Sequence, residues 1–247
     1  MYEEGKGVSQ NYKTAAEWYT LAAEQGHVHA QNNLGFMYQQ GRGVPQDYKT
    51  AVKWWRLAAE QWNADAQGGL GLLYNYRQGV PQNDEAAVKW YTLSAKQGDA
   101  RAQYNLGVMY DEGRGVLQDH KAAVKWYSLA AEQGYARAQT NLGMMYGEGK
   151  GILQDYKTAV KWYKLAGGQG NASAQNNLGL VYSKGKGVPQ NYDTALRWYT
   201  LAARQGNAIS QNNLGFMYDE GRGVSQDYKS AVEWYTRAAE QENAVAQ

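Results

Sequence analysis

The 247-residue chain has no cysteine, which excludes disulfide frameworks, cysteine-containing zinc sites and thiol nucleophiles. Charge is nearly balanced, 25 Lys and Arg against 23 Asp and Glu for a net +2. There is therefore no basic field of the kind nucleic-acid binding needs. No apolar run approaches the ~20 residues of a membrane span, and the polar segment after Met1 lacks a signal-peptide core. Histidine is down to three residues. His27 and His29 form a pair, but His120 is remote and no third ligand has a recognisable spacing, so neither metal nor cofactor is expected. The phosphate-cradling pattern G-x-x-x-x-G-K-[ST] does not occur. Proline is scarce too, three residues against 29 glycines. What is left, 43% hydrophobic and 19% charged residues, describes a folded chain.

The glycines are periodic. Leu-Gly begins at Leu34, Leu70, Leu106, Leu142, Leu178 and Leu214, a step of 36 residues. Trp18, Trp54, Trp90, Trp126, Trp162, Trp198 and Trp234 keep that step, as do the glutamines from Gln31 to Gln247. Each unit reads as two helices. In the first, Ala30, Leu34, Met37 and Tyr38 form one apolar stripe. Gly35 sits inside it at a cost of about 1 kcal/mol relative to Ala, which predicts a close helix approach with no room for a Cβ. Gly41 is placed as a left-handed residue after that helix, with Val44 packing back on its last turn. Asp47 caps the second helix, a role repeated by Asn11, Asn83, Asp119, Asp155, Asn191 and Asp227. Ala51, Trp54, Leu57 and Ala58 are expected to point inward, and the Trp series with Tyr19, Tyr91, Tyr127 and Tyr163 to be core.

A lone helical pair cannot bury both faces, but stacked pairs can. The expected fold is all-α, a right-handed α/α superhelical solenoid of 36-residue helix-turn-helix repeats, with roughly three-quarters of the residues helical against a usual third. Residues 1–247 read as a single array of about seven second helices and six complete first helices, with both ends cut within a repeat. Met1 falls late in a first helix and Gln247 early in one. The residues shown thus read as part of a longer array, and the complementary phases of Met1–Tyr2 and Asn243–Gln247 allow end-to-end self-association of copies.

The string A-Q-x-x-L-G-x-M-Y-x-x-G-x-G-V-x-Q-D-Y-x-x-A-x-x-W-Y-x-x-A-A-x-Q-G resembles the Sel-1-like repeat, a relative of the tetratricopeptide repeat, over essentially the whole chain. The resemblance implies an adaptor that holds other proteins and carries no catalytic residues. Some cysteine-rich relatives are linked to binding or slow hydrolysis of penicillin-like compounds, which gives one enzyme alternative. The single S-x-x-K, Ser183 to Lys186, spans a helix end and a Gly loop, with no K-T-G or S-D-N partner. No enzyme activity is expected.

A solenoid's concave face, lined by first helices, is its usual binding surface. Asn33, Asn105, Asn141, Asn177 and Asn213 form a row there, interrupted by Gly69. Such amides can clamp a peptide backbone or bond between adjacent repeats. Phe36, Leu72 and Met144 belong to a neighbouring apolar row, suited to accepting partner side chains or to packing first helices together. The repeat between Trp55 and Asp84 departs from the pattern. Trp55 replaces Tyr, Trp62 replaces a helix-ending Gly, Gly68 and Gly69 replace polar residues, and Arg77 replaces the left-handed Gly. The Gly pair predicts a dent flanked by Asn33, Tyr104 and Asn105, and Arg77 predicts a distorted loop over residues 75–82. Drift and a binding hot spot both account for these departures. The expected partner is a protein or peptide in the groove, with no nucleic acid and no membrane insertion; a structural spacer within a larger protein is the rival reading. Compartment is not encoded.

Overall fold

The computed structural model describes residues 10–245. Met1, Tyr2 and Gln247, on which end-to-end stacking rests, lie outside the described residues. The described residues form helices without strands: α1 (Tyr12–Glu24), α2 (Val28–Gln40), α3 (Tyr48–Glu60), α4 (Ala64–Asn75), α5 (Asp84–Lys96), α6 (Ala100–Glu112), α7 (His120–Glu132), α8 (Ala136–Glu148), α9 (Tyr156–Gly168), α10 (Ala172–Lys184), α11 (Tyr192–Arg204), α12 (Ala208–Glu220) and α13 (Tyr228–Val245). Odd-numbered helices are the second helices of the repeats and even-numbered ones the first. This is an all-α solenoid of helix-turn-helix repeats, in which consecutive helices pack on one another within each compact unit. By contacts the chain divides into two compact units, one reaching Trp126 and the other starting at Tyr127.

Local chemistry sets the helix ends. The second helices start after Asn or Asp, whose side-chain oxygen accepts a backbone N–H of the first turn: Asn11 from Thr14, Asp47 from Lys49, Asn191 from Thr194. First helices α4, α6, α10 and α12 are capped in the same way by Asn63, Asp99, Asn171 and Asn207. Five first helices end on a left-handed glycine, as at Gly41 with φ +69°. Beyond it the Arg42 N–H bonds the Met37 carbonyl and the Asp47 N–H bonds the Tyr38 carbonyl. Val44 packs back on Met37, as expected.

In the first unit, α2 presents Gly35 to the Trp55 ring. A Cβ there would sit 2.4 Å from the ring, which is the close approach the mid-helix glycine foretold. Gly71 meets Tyr91 in the same way, and in the second unit Gly143, Gly179 and Gly215 meet Tyr163, Tyr199 and Tyr235. The aromatic at the centre of each interface is therefore the residue after the periodic Trp. Trp55, Tyr91, Tyr127, Tyr163 and Tyr199 are buried, whereas most of the Trp series is half-buried and Trp18 is 59% exposed. The expectation that the Trp residues form the core holds for Trp54, which is 8% exposed, and is corrected for the others. Leu57, expected inward, is 37% exposed. The ring next to the first-helix glycine excludes water, and the Trp beside it is half-buried in most repeats, although Trp54 is itself buried with Ala23, Ala30 and Leu34.

A second periodic element ties repeats together. Gln31, Gln67, Gln139, Gln175 and Gln211 each donate to a carbonyl eight residues back, at the end of the preceding helix. Their own side-chain oxygens accept from Gln61, Gln97, Gln169, Gln205 and Gln241 at 2.7–2.8 Å. These buried amides are structural, each joining one repeat to the next.

The loop over residues 75–82 departs from its sisters, though modestly: α4 ends one residue early, at Asn75, and Gln82 lacks the bond to a helix-end carbonyl that Gln46, Gln118, Gln154, Gln190 and Gln226 make. Arg77 takes the left-handed conformation itself, at φ +56°. The loop keeps two sister backbone bonds, Gln78 N–H to the Leu73 carbonyl and Asn83 N–H to the Tyr74 carbonyl. Two backbone bonds and a capped α5 hold the turn against a local cost of about 1–2 kcal/mol. Trp62 is likewise left-handed, at φ +64°.

Candidate functional site

In the first unit, α4 lacks side chains at Gly68 and Gly69, and a depression of about 240 Å³ lies there. Phe36, Trp55, Leu72 and Tyr91 give it an apolar lining. Phe36 meets Trp55 edge-on, with ring centroids 5.0 Å apart. Gln39, Gln40 and Asn105 add polar edges, and Asp65, Asp99 and Arg101 complete the lining. Arg101 bridges to Asp65 at 3.3 Å, one repeat away. Asn33 and Tyr104, expected as walls, are half-buried on α2 and α6 but are not among the lining residues. Trp62 lies outside the lining too, at the turn before α4, and is 68% exposed.

The glycines also explain the oversized ring. A Cβ at Gly69 would lie 2.9 Å from the Trp55 indole, so Trp in place of Tyr and Gly in place of Asn are one coupled change. The indole N–H donates to the Asn32 carbonyl at 3.1 Å. Gly68 is less constrained, its virtual Cβ meeting only Ser94 Oγ at 3.3 Å. That hydroxyl donates to the Ala64 carbonyl, joining the two helices of one repeat.

In the second unit, Met144, Tyr163, Asn177 and Leu180 line a cavity of about 400 Å³. Leu180, Tyr199, Asn213 and Phe216 line another of about 240 Å³. The apolar row therefore faces cavities, as do Asn177 and Asn213. Asn213 also donates to Asn176 at 3.2 Å, so in this pair the amide bonds between adjacent repeats. Asn33, Asn105, Asn141 and Asn177 are half-buried and make no side-chain hydrogen bond among the described residues.

Burial pushes the phenols of Tyr91, Tyr163 and Tyr199 above their ordinary range, so they remain neutral. Ser183 and Lys186 do not form a nucleophile and base pair. The Ser183 hydroxyl donates to the Leu180 carbonyl at 3.0 Å, while Lys186 donates to the Tyr156 hydroxyl at 3.2 Å and lies over its ring. Among the described residues no three His, Asp or Glu gather as a metal site, and no helix is long and apolar enough to cross a membrane.

The family model described as Sel1 repeat matches residues 1–27, 28–61, 64–99, 100–135, 136–171, 172–207 and 208–243. One similar solved structure is c5321, described as a protective antigen present in uropathogenic Escherichia coli strains displaying an SLR fold. It is 39% identical with a TM-score of 0.88, over 99% of this chain and 53% of that one. This chain thus spans about half its length. A Sel1 repeat protein from Oxalobacter formigenes is 35% identical with a TM-score of 0.80, over 87% of this chain and 86% of its own. A sel1 repeat protein from Klebsiella pneumoniae, 20% identical over 91% of this chain and 99% of its own, shares the fold at a TM-score of 0.52. No curated protein matches the chain.

Proposed function

The chain belongs to the Sel1 repeat family, and from that premise we propose that it is a non-catalytic scaffold holding an extended segment of a partner protein along its first-helix face. Proteins of this family are generally interaction scaffolds. The observation that carries the reading here is the Gly68–Gly69 depression, with Asn105 on its edge and Phe36 and Leu72 within it. Its size suits one partner side chain, while unbonded Asn amides nearby supply both donor and acceptor for a partner backbone. Within the second unit, Met144 and Asn177 bring the same residue types to a cavity of that unit's own; Asn141 and Asn213 are on its first helices too.

The test is selection of short peptides from a displayed library against the whole chain, followed by titration of the winners. Gly68→Asn fills the depression and Asn105→Ala removes an amide, and each should weaken binding about tenfold. If no peptide is retained, or the winners bind both variants as they bind the original, the chain is a spacer and the scaffold reading fails.

A further inference from the structure

A second surface, sharing no residue with the depression, lies on the outer side of α9. Lys157, Lys161 and Lys164 stand at i, i+4 and i+7, which places them on one face over about 10 Å of helix. All three are exposed. None has an ion-pair partner among the described residues. With Val160, Leu165, Gly187 and Val188 they line a cavity of about 490 Å³. The Gly187 loop closes one side, pressed so tightly on Tyr156 that a Cβ at Gly187 would lie 2.5 Å from its carbonyl carbon. Lys164 is held over the Tyr182 ring at 5.7 Å, so its position is partly set in advance.

The sister repeats serve as controls. At the three lysine positions α5 has Glu85, Lys89 and Thr92, α11 has Asp193, Arg197 and Thr200, and α13 has Lys229, Glu233 and Thr236. Only α3 repeats the basic triple, as Lys49, Lys53 and Arg56, and it ends in Glu60. The position of Glu60 is Gly168 in α9, the one second helix with no acidic residue. Basic side chains have been collected and the acidic one removed in the same helix, against a chain whose charges nearly cancel.

We infer that this face docks an acidic segment of a partner protein, one presenting several carboxylates and at least one aliphatic side chain. Three cations spread over two helical turns match carboxylates at a similar spacing. The aliphatic floor, with Leu165 46% exposed, favours a peptide over a nucleic-acid backbone. Charge complementarity would speed encounter and make binding fall with salt.

The test uses the full chain and a fluorescent helical peptide with Glu at i, i+4 and i+7 beside a Leu, compared with its Gln counterpart. The Glu peptide should bind at least tenfold more tightly at low salt. Replacing Lys157, Lys161 and Lys164 together by Gln should remove that preference, while Gly68→Asn leaves it intact. Circular dichroism checks that the variants keep their helices. Equal binding of both peptides would overturn the inference, as would tighter binding to a single-stranded oligonucleotide or to phosphatidylserine vesicles. Loss of binding in Gly68→Asn would place the peptide in the groove, overturning this docking face while leaving the scaffold reading standing.

Discussion

Two residues hold a backbone that their sisters give to glycine. Trp62 and Arg77 both have positive φ, so neither turn escapes the left-handed conformation. Trp62→Gly and Arg77→Gly should each stabilise the chain by about 1 kcal/mol, since relief of left-handed strain exceeds the entropy that glycine adds to the unfolded state. Urea denaturation of the two variants checks this. A third residue is left with an unmet need. In the second unit Asn176 Oδ1 accepts from Ser210 Oγ at 2.9 Å and from Asn213. At the matching place in the first unit Asn32 faces Ala66 and Gly69, which offer no side-chain donors, and its buried Oδ1 has no partner. Ala66→Ser copies the sister arrangement and should gain about 1 kcal/mol, again read by urea. An unchanged midpoint would mean that the acceptor is already satisfied by water.

At the scale of the helix, a bare glycine surface against a ring packs the two helices of a repeat together. Gly179→Ala would place a Cβ 2.4 Å from Tyr199 and should cost about 1–3 kcal/mol by overpacking. Gly68→Ala, facing only a hydroxyl that can turn, should be neutral or slightly stabilising. Thermal melts of the two distinguish them. The helix starts predict a pH dependence. Hydrogen bonds from the hydroxyls of Thr50, Thr158 and Ser230 hold Asp47, Asp155 and Asp227 below the ordinary carboxylate range. Unfolded, these carboxyls titrate near ~3.9. Their contribution is therefore present above that pH and is lost as pH falls through the lower folded values. The melting temperature should fall below about pH 4, and less steeply when all three are Asn.

Much of this was legible in the sequence because each rule has one local cause. Asn11 and Asp47 cap through their own side chains, and Gly41 alone tolerates its φ without strain. The depth of the aromatics was not legible. Trp54 and Trp55 both lie within the apolar stripe, and the angle at which α2 crosses α3 decides which ring meets Gly35. The dent at Gly68 and Gly69 could be foreseen by comparison with sister repeats. Its charged walls were not foreseen: Asp65 and Arg101 stand one turn before Gly69 and Asn105 on the same helix faces, but their side chains vary from repeat to repeat, so no shared residue type marked the position.

For the whole molecule, what the repeats share builds the stack, and where they differ is where a partner can be recognised. Buried glutamines, capped starts and glycine-on-ring contacts recur from repeat to repeat and carry stability. The irregular α4 and the charge-sorted α9 break the pattern on the surface, where the cost of departure is small. The central claim is that the first-helix face holds a partner segment at the α4 depression. Hydrogen–deuterium exchange of the full chain, with and without a library-selected peptide, tests it most directly. The account predicts slowed exchange in α4 around Gly68–Leu72 and in α6 around Asn105, with α3 and α5 unchanged. Slowing confined to the second helices, or none at saturating peptide, would contradict it.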